Sequence, residues 1–146
     1  MACSTDITAA RELALRWHAG QLDKSGKPYT EHLQRVAERL SSPEAQVVAW
    51  LHDSLEDTAL PPQELEARFG ADTLAAVQAM THRPGEPYEL YVQRAGMNPV
   101  SRLVKISDLI DNSNLSRLAH VTLRDVERQA KYNRALLHLL SMGPID

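Results

Sequence analysis

Apolar residues recur three and four positions apart through nearly the whole chain and nowhere alternate one by one. Ile7, Ala10, Leu13, Ala14 and Trp17 follow this spacing, and Leu33, Val36, Ala37 and Leu40 repeat it. The period gives each segment one apolar stripe and leaves no candidate strand, so the predicted fold is an all-α bundle with short connections. Ser42-Pro43 and Asn98-Pro99 each offer an N-cap followed by proline at the first helical position, and Thr122 with Asp125 reads as a capping-box variant. Breaks fall at DKSGKP (23–28), ALPP (59–62), Gly70 and HRPGEP (82–87). Helices are predicted over 5–22, 29–41, 43–56, 62–69, 71–81, 87–96, 99–117 and 122–141.

With 146 residues, the chain is expected to form one compact domain spanning 1–146. A formal net charge of −3 argues against a general nucleic-acid binder, which needs a basic footprint to neutralise phosphates. No stretch approaches the ~18 apolar residues of a membrane span, and the N-terminus lacks an apolar signal core. The single cysteine, Cys3, allows no intramolecular disulfide and fits a reducing compartment, so a cytoplasmic protein is expected. The oligomeric state is left open.

One segment departs from the plain pattern of a helical bundle. Val47, Val48, Ala49, Trp50 and Leu51 form a continuous apolar run, which leads directly into His52, Asp53, Glu56 and Asp57. On an unbroken helix the spacings of three and four would put these ionisable groups on one flank. Three carboxylates crowded against a core need a compensating positive charge, and a divalent metal would supply it. Two further segments offer ligands: His32 at the start of the second helix, and KISDLIDN (105–112), where Asp108 and Asn112 lie four apart and Lys105 precedes Asp108 by three. Two imidazoles with two carboxylates suit Mn, Fe or Zn.

The set His32, His52-Asp53 and Asp108 resembles the metal signature of the HD-domain phosphohydrolase superfamily. More closely, GKPYTEH, LHDSLEDT and VKISDLIDN are similar to the motifs of the Rel/Spo-type alarmone hydrolases, which remove the 3′-pyrophosphate of guanosine tetra- and pentaphosphate; the likeness runs from about residue 9 to 135. It implies a compact HD-type helical bundle acting on a small-molecule nucleotide. It further implies Mn2+ held by His32, His52, Asp53 and Asp108, with Glu56 and Asp57 as the catalytic pair and Asn112 as a substrate contact. Lys105 and Lys24 are candidate phosphate neutralisers, and Tyr29 a candidate pocket residue or core plug. The chain departs from the family at Leu22 and Asp23, where a basic residue able to stack on the base is usual. Adenosine 3′-pyrophosphates, phosphomonoester hydrolysis of a nucleotide or dinucleotide such as NADPH, and non-catalytic alarmone sensing stand as alternatives. Arg83, Tyr88 and Tyr91, in the distinctive 82–97 segment, either shape a pocket or pack.

Overall fold

The computed structural model describes residues 4–145, with side chains from Asp6 onward; the reading of Cys3 lies outside the described residues. Nine helices follow one another, with no strand among the described residues: α1 (Ser4–Trp17), α2 (Thr30–Glu38), α3 (Pro43–Leu51), α4 (Ser54–Asp57), α5 (Pro62–Phe69), α6 (Ala71–Ala79), α7 (Tyr88–Gly96), α8 (Pro99–Asn112) and α9 (Leu123–Ser141). The expected caps form. Ser42 Oγ accepts from Ala45 N, and Asn98 Oδ1 accepts from Val100 N and Ser101 N. Thr122 and Asp125 close a capping box at the start of α9.

α3 is the hub. Val47, Val48, Ala49, Trp50 and Leu51 are all buried, because α3 is enclosed by α1, α2, α6 and α8. A helix apolar on every side is stable only in such a position. Leu33, Val36, Leu65, Val77 and Val104 complete this core, while Tyr91, Val92, Leu109, Ala135 and Leu139 form a second, smaller cluster joining α7, α8 and α9.

Three predicted helices end early, each for a local reason. α1 stops at Trp17 rather than 22: Gly20 takes a left-handed φ of 83°, and the chain then folds back so that Leu22 and Pro28 form an isolated bridge. α8 stops at Asn112 rather than 117, where the Asn114 side chain accepts from Ser116 N and closes a turn. The predicted helix 43–56 divides into α3 and α4 at His52-Asp53. There the His52 ring donates to the Ala49 carbonyl (2.6 Å) and Ser54 Oγ donates to the Leu51 carbonyl (2.6 Å). Those carbonyls would otherwise receive backbone amides four residues on, so the side chains interrupt the helical ladder. The single flank expected for His52, Asp53, Glu56 and Asp57 is therefore split.

Candidate metal centre

That interruption turns His52 and Asp53 toward α2 and α8. His52 Nε2 lies 3.2 Å from Asp53 Oδ2 and 3.4 Å from Asp108 Oδ1, and His32 Nε2 lies 3.0 Å from the same Asp108 oxygen. Ligand atoms of His32, His52 and Asp53 all fall within 4.8 Å of one another. The three segments singled out in the sequence thus come together: His32, His52 and Asp53 form the cluster, and Asp108 lies against both rings.

The hydrogen-bond network assigns the tautomers. Nδ1 of His52 donates to the Ala49 carbonyl, and Nδ1 of His32 donates to Asp111 Oδ2 at 2.7 Å. His32 Nε2 is in turn hydrogen-bonded to Asp108 Oδ1 at 3.0 Å, so the metal-free ring carries a proton there too, and each Nε2 offers a lone pair to an ion only when its proton leaves. His52 Nε2 is fully buried and has no hydrogen-bond partner. Two lone pairs facing two carboxylates repel unless a cation lies between them. Two imidazole protons would neutralise the pair of carboxylates, and one divalent metal would do so equally. Burial opposes charge on both rings, but the carboxylates facing them outweigh it and hold both above the ordinary histidine range. The donor set fits a divalent ion that replaces those two protons.

Asp111, which spacing did not single out, anchors the outer side. Its carboxylate holds His32, accepts from Arg35 Nε at 2.8 Å and from Arg39 at 3.2 Å, and pairs with Arg117 at 3.4 Å. Its burial opposes ionisation, yet His32 and Arg35 keep it well below the usual carboxylate range. The only sequence signal for it was its place three residues after Asp108. Asp111→Asn removes the charge that orients His32 and is expected to weaken metal binding ~10–100-fold while leaving the helix content unchanged. Calorimetric titration with Mn(II) checks this; unchanged affinity would reduce Asp111 to a clasp for the three arginines.

The remaining site residues take separate stations. The Tyr29 hydroxyl donates to Asp53 Oδ2, and Asn112 Nδ2 donates to Asp108 Oδ1 at 3.1 Å. Lys105 lies beneath the carboxylates and is only 7% exposed; its ammonium donates to Asp108 Oδ2 at 3.0 Å and to the Tyr91 hydroxyl at 3.1 Å. It is not among the residues of the cavity wall. Glu56 is turned outward, with Oε1 accepting from His82 N at 2.8 Å, and the Asp57 carbonyl accepts from Gln21 Nε2 at 3.1 Å. Loss of hydration, with the Asp53 and Glu56 carboxylates nearby, pushes the Asp57 carboxyl up to about 6.

A cavity of about 360 Å3 opens beside His32, between the loop after α1 and the α8–α9 side; Leu22, Lys24, Tyr29, Asn112, Arg117 and Arg128 line it. Lys24 therefore faces the cavity and not the ligand cluster. Asp23 turns inward on its own loop, where Oδ1 accepts from Ser25 N and Lys27 N. In the 82–97 segment, Tyr91 packs: its hydroxyl donates to the Met80 carbonyl, and its ring stacks on His82 with centroids 4.8 Å apart. Tyr88 packs against the smaller core and Arg83 is exposed.

The HD domain family matches residues 10–85, just over half of the chain. A guanosine-3′,5′-bis(diphosphate) 3′-pyrophosphohydrolase of Aquifex aeolicus is 32% identical over 119 residues, covering 73% of this chain and 17% of its own length. The human guanosine-3′,5′-bis(diphosphate) 3′-pyrophosphohydrolase MESH1 is 32% identical over 123 residues, which is 75% of this chain and 68% of the human protein. A GTP pyrophosphokinase of Streptomyces coelicolor is 27% identical over 95% of this chain and 18% of its own length. The chain thus spans less than a fifth of the Aquifex and Streptomyces relatives. The solved structure of a metazoan SpoT ortholog described as hydrolysing ppGpp superposes with a TM-score of 0.79 at 20% identity, covering 97% of this chain and 88% of that one. That likeness establishes the shared fold.

Proposed function

Because the chain belongs to the HD domain family, we propose that it is one HD-type domain that removes the 3′-pyrophosphate of a guanosine tetra- or pentaphosphate alarmone with the help of Mn2+. The observation that carries this reading is the convergence of two imidazole Nε2 atoms and the carboxylates of Asp53 and Asp108, with His52 Nε2 buried and unpartnered. The named activity of the human and Aquifex relatives supports the substrate class.

His32, His52, Asp53 and Asp108 would hold a divalent ion, which when bound would supply the positive charge that lowers a water's pKa and polarises a phosphoryl oxygen. Around it the chain's own groups divide the remaining work. Glu56 takes the proton of the attacking water, its carboxylate steadied by His82 N. Asp57, its carboxyl pushed up to about 6, carries a proton in a minor fraction of molecules at neutral pH and could return it to the departing 3′ oxygen. Tyr29 and Asn112 fix Asp53 and Asp108, and Lys24 gives the neighbouring cavity positive charge for the substrate's other phosphates. A nucleotide substrate of this kind fits a cytoplasmic location.

The purified protein with Mn(II), incubated in parallel with guanosine and adenosine 3′-pyrophosphates and with NADPH, is expected to release pyrophosphate from the guanosine compound. Orthophosphate alone would replace the reading with a phosphomonoesterase, and pyrophosphate from the adenosine compound alone would change the base. Glu56→Gln keeps the acceptor for His82 N but not the base. It is expected to retain metal at full stoichiometry and lose ~10²-fold or more in kcat. Turnover at the parent rate would remove Glu56 from the general-base role.

A further inference from the structure

The outer face of α9 carries an apolar stripe interrupted only at Asn133. Leu123, Val126, Leu137 and Leu140 are 73%, 46%, 68% and 62% exposed, and Ala130 lies on the same face between them. Advancing about 100° per residue, positions 123, 126, 130, 133, 137 and 140 fall within a sector roughly 100° wide. The opposite face, with Tyr132, Ala135, Leu136 and Leu139, is occupied by α7 and α8. On α8 the exposed Leu103 and Ile110 flank Ile106, which packs against that same cluster, so the apolar surface continues from one helix to the next.

The stripe reads the same in both directions: successive gaps are three, four, three, four and three residues. We propose that this face is the interface of a two-fold dimer, in which α9 lies antiparallel against α9 of a second copy of this chain. About a two-fold axis passing between residues 131 and 132, Leu123 meets Leu140 of the second copy and Val126 meets its Leu137. Ala130 and Asn133 meet at the centre, where the small alanine side chain lets the helices approach closely.

The charges beside the stripe have the matching symmetry. Glu127 and Arg134 lie one heptad apart along one edge, and neither makes an ion pair among the described residues. In the antiparallel pair each Glu127 stands beside Arg134 of the other copy, and the two-fold repeats the contact. Facing Glu127 with a second Glu127 would require a parallel arrangement, which the end-to-end symmetry of the stripe does not call for. A 19-residue helix is roughly 28 Å long, and α9 with the edge of α8 is about 20 Å wide. Pairing two such faces buries on the order of 1,100 Å2 in total, enough for a specific interface.

Sedimentation velocity of the full chain between ~1 and ~100 μM decides the matter, and it does not depend on the enzymatic reading. The expected result is a concentration-dependent dimer that Leu137→Asp abolishes, with helix content and metal stoichiometry unchanged because Leu137 is exposed. Glu127→Arg and Arg134→Glu should each weaken dimerisation ~10-fold or more, since each creates two like-charge contacts, and the double swap should restore it. Three outcomes would overturn the proposal. The parent chain could remain monomeric to ~100 μM, which would assign the face to a different partner. The dimer could survive Leu137→Asp, or the double swap could fail to rescue.

Discussion

Replacing His52 by alanine is expected to yield a folded protein that retains no stoichiometric divalent metal and turns its substrate over at least ~10³-fold more slowly. The loss corresponds to about 4 kcal/mol of transition-state stabilisation. Its origin is geometric. The His52 ring is tied at Nδ1 to the Ala49 carbonyl, so its Nε2 can point only at the Asp53 and Asp108 carboxylates. The ring is only 1% exposed, so water cannot readily take its place. Removing the ring takes away one donor and leaves the two carboxylates to repel across a void. Elemental analysis after Mn(II) loading and buffer exchange, alongside kcat/KM, checks both parts. Full metal content in His52→Ala would mean that His52 is a core histidine and not a ligand, whatever happened to the rate.

The proposed ligand residues were readable in the sequence because each is a residue type with a restricted set of uses, placed against a helical pattern strong enough to predict its surroundings. His32 opens an amphipathic helix, and His52-Asp53 ends an apolar one. What spacing could not show is how His52 and Asp53 reach their partners. Helical periodicity predicts continuity through residue 56, whereas the His52 and Ser54 side chains take over two backbone acceptors and break the helix at that point. Without the break, the ligand pair would not face Asp108 as it does. The same kind of local capture, by Asn114, shortens α8.

Supporting residues were harder to see because long-range contacts define them. Asp111 acts through Arg35 and Arg39, more than seventy residues earlier in the chain. His82 steadies Glu56 through a backbone amide, which any residue could supply. Asp23, in the place where a basic residue is usual among the hydrolases the motifs resemble, closes its own loop and, with Leu22, lines the cavity wall. Across the cavity from that loop stand the Tyr132 ring and the guanidinium of Arg117.

Lys105→Met is expected to lower the melting temperature of the metal-free protein by ~10 °C. Lys105 is buried between Asp108 and Tyr91, with its ammonium 4.7 Å from the centre of the Tyr91 ring. Burial opposes its charge, but Asp108 and then Tyr91 more than compensate and hold it above the ordinary lysine range. Methionine keeps much of the volume and removes the charge, taking from buried Asp108 its lysine partner and leaving it only the His32 and His52 rings. Breaking a buried pair from one side costs about 3–5 kcal/mol, and in a domain of this size each kcal/mol shifts melting by ~2–4 °C. Metal should change the outcome, because on the proposed reading Asp108 would serve both cations. Once the ammonium is gone, the carboxylate is a stronger donor to a divalent ion. Saturating Mn(II) should then raise the melting temperature of Lys105→Met by more than it raises that of the parent chain. Scanning calorimetry of both proteins, with and without Mn(II), measures the four temperatures needed. Equal metal-induced shifts in the two proteins would show that Lys105 supports the fold without sharing its carboxylate with the metal, and would remove Asp108 from the set of ligands to which the ion is most strongly coupled.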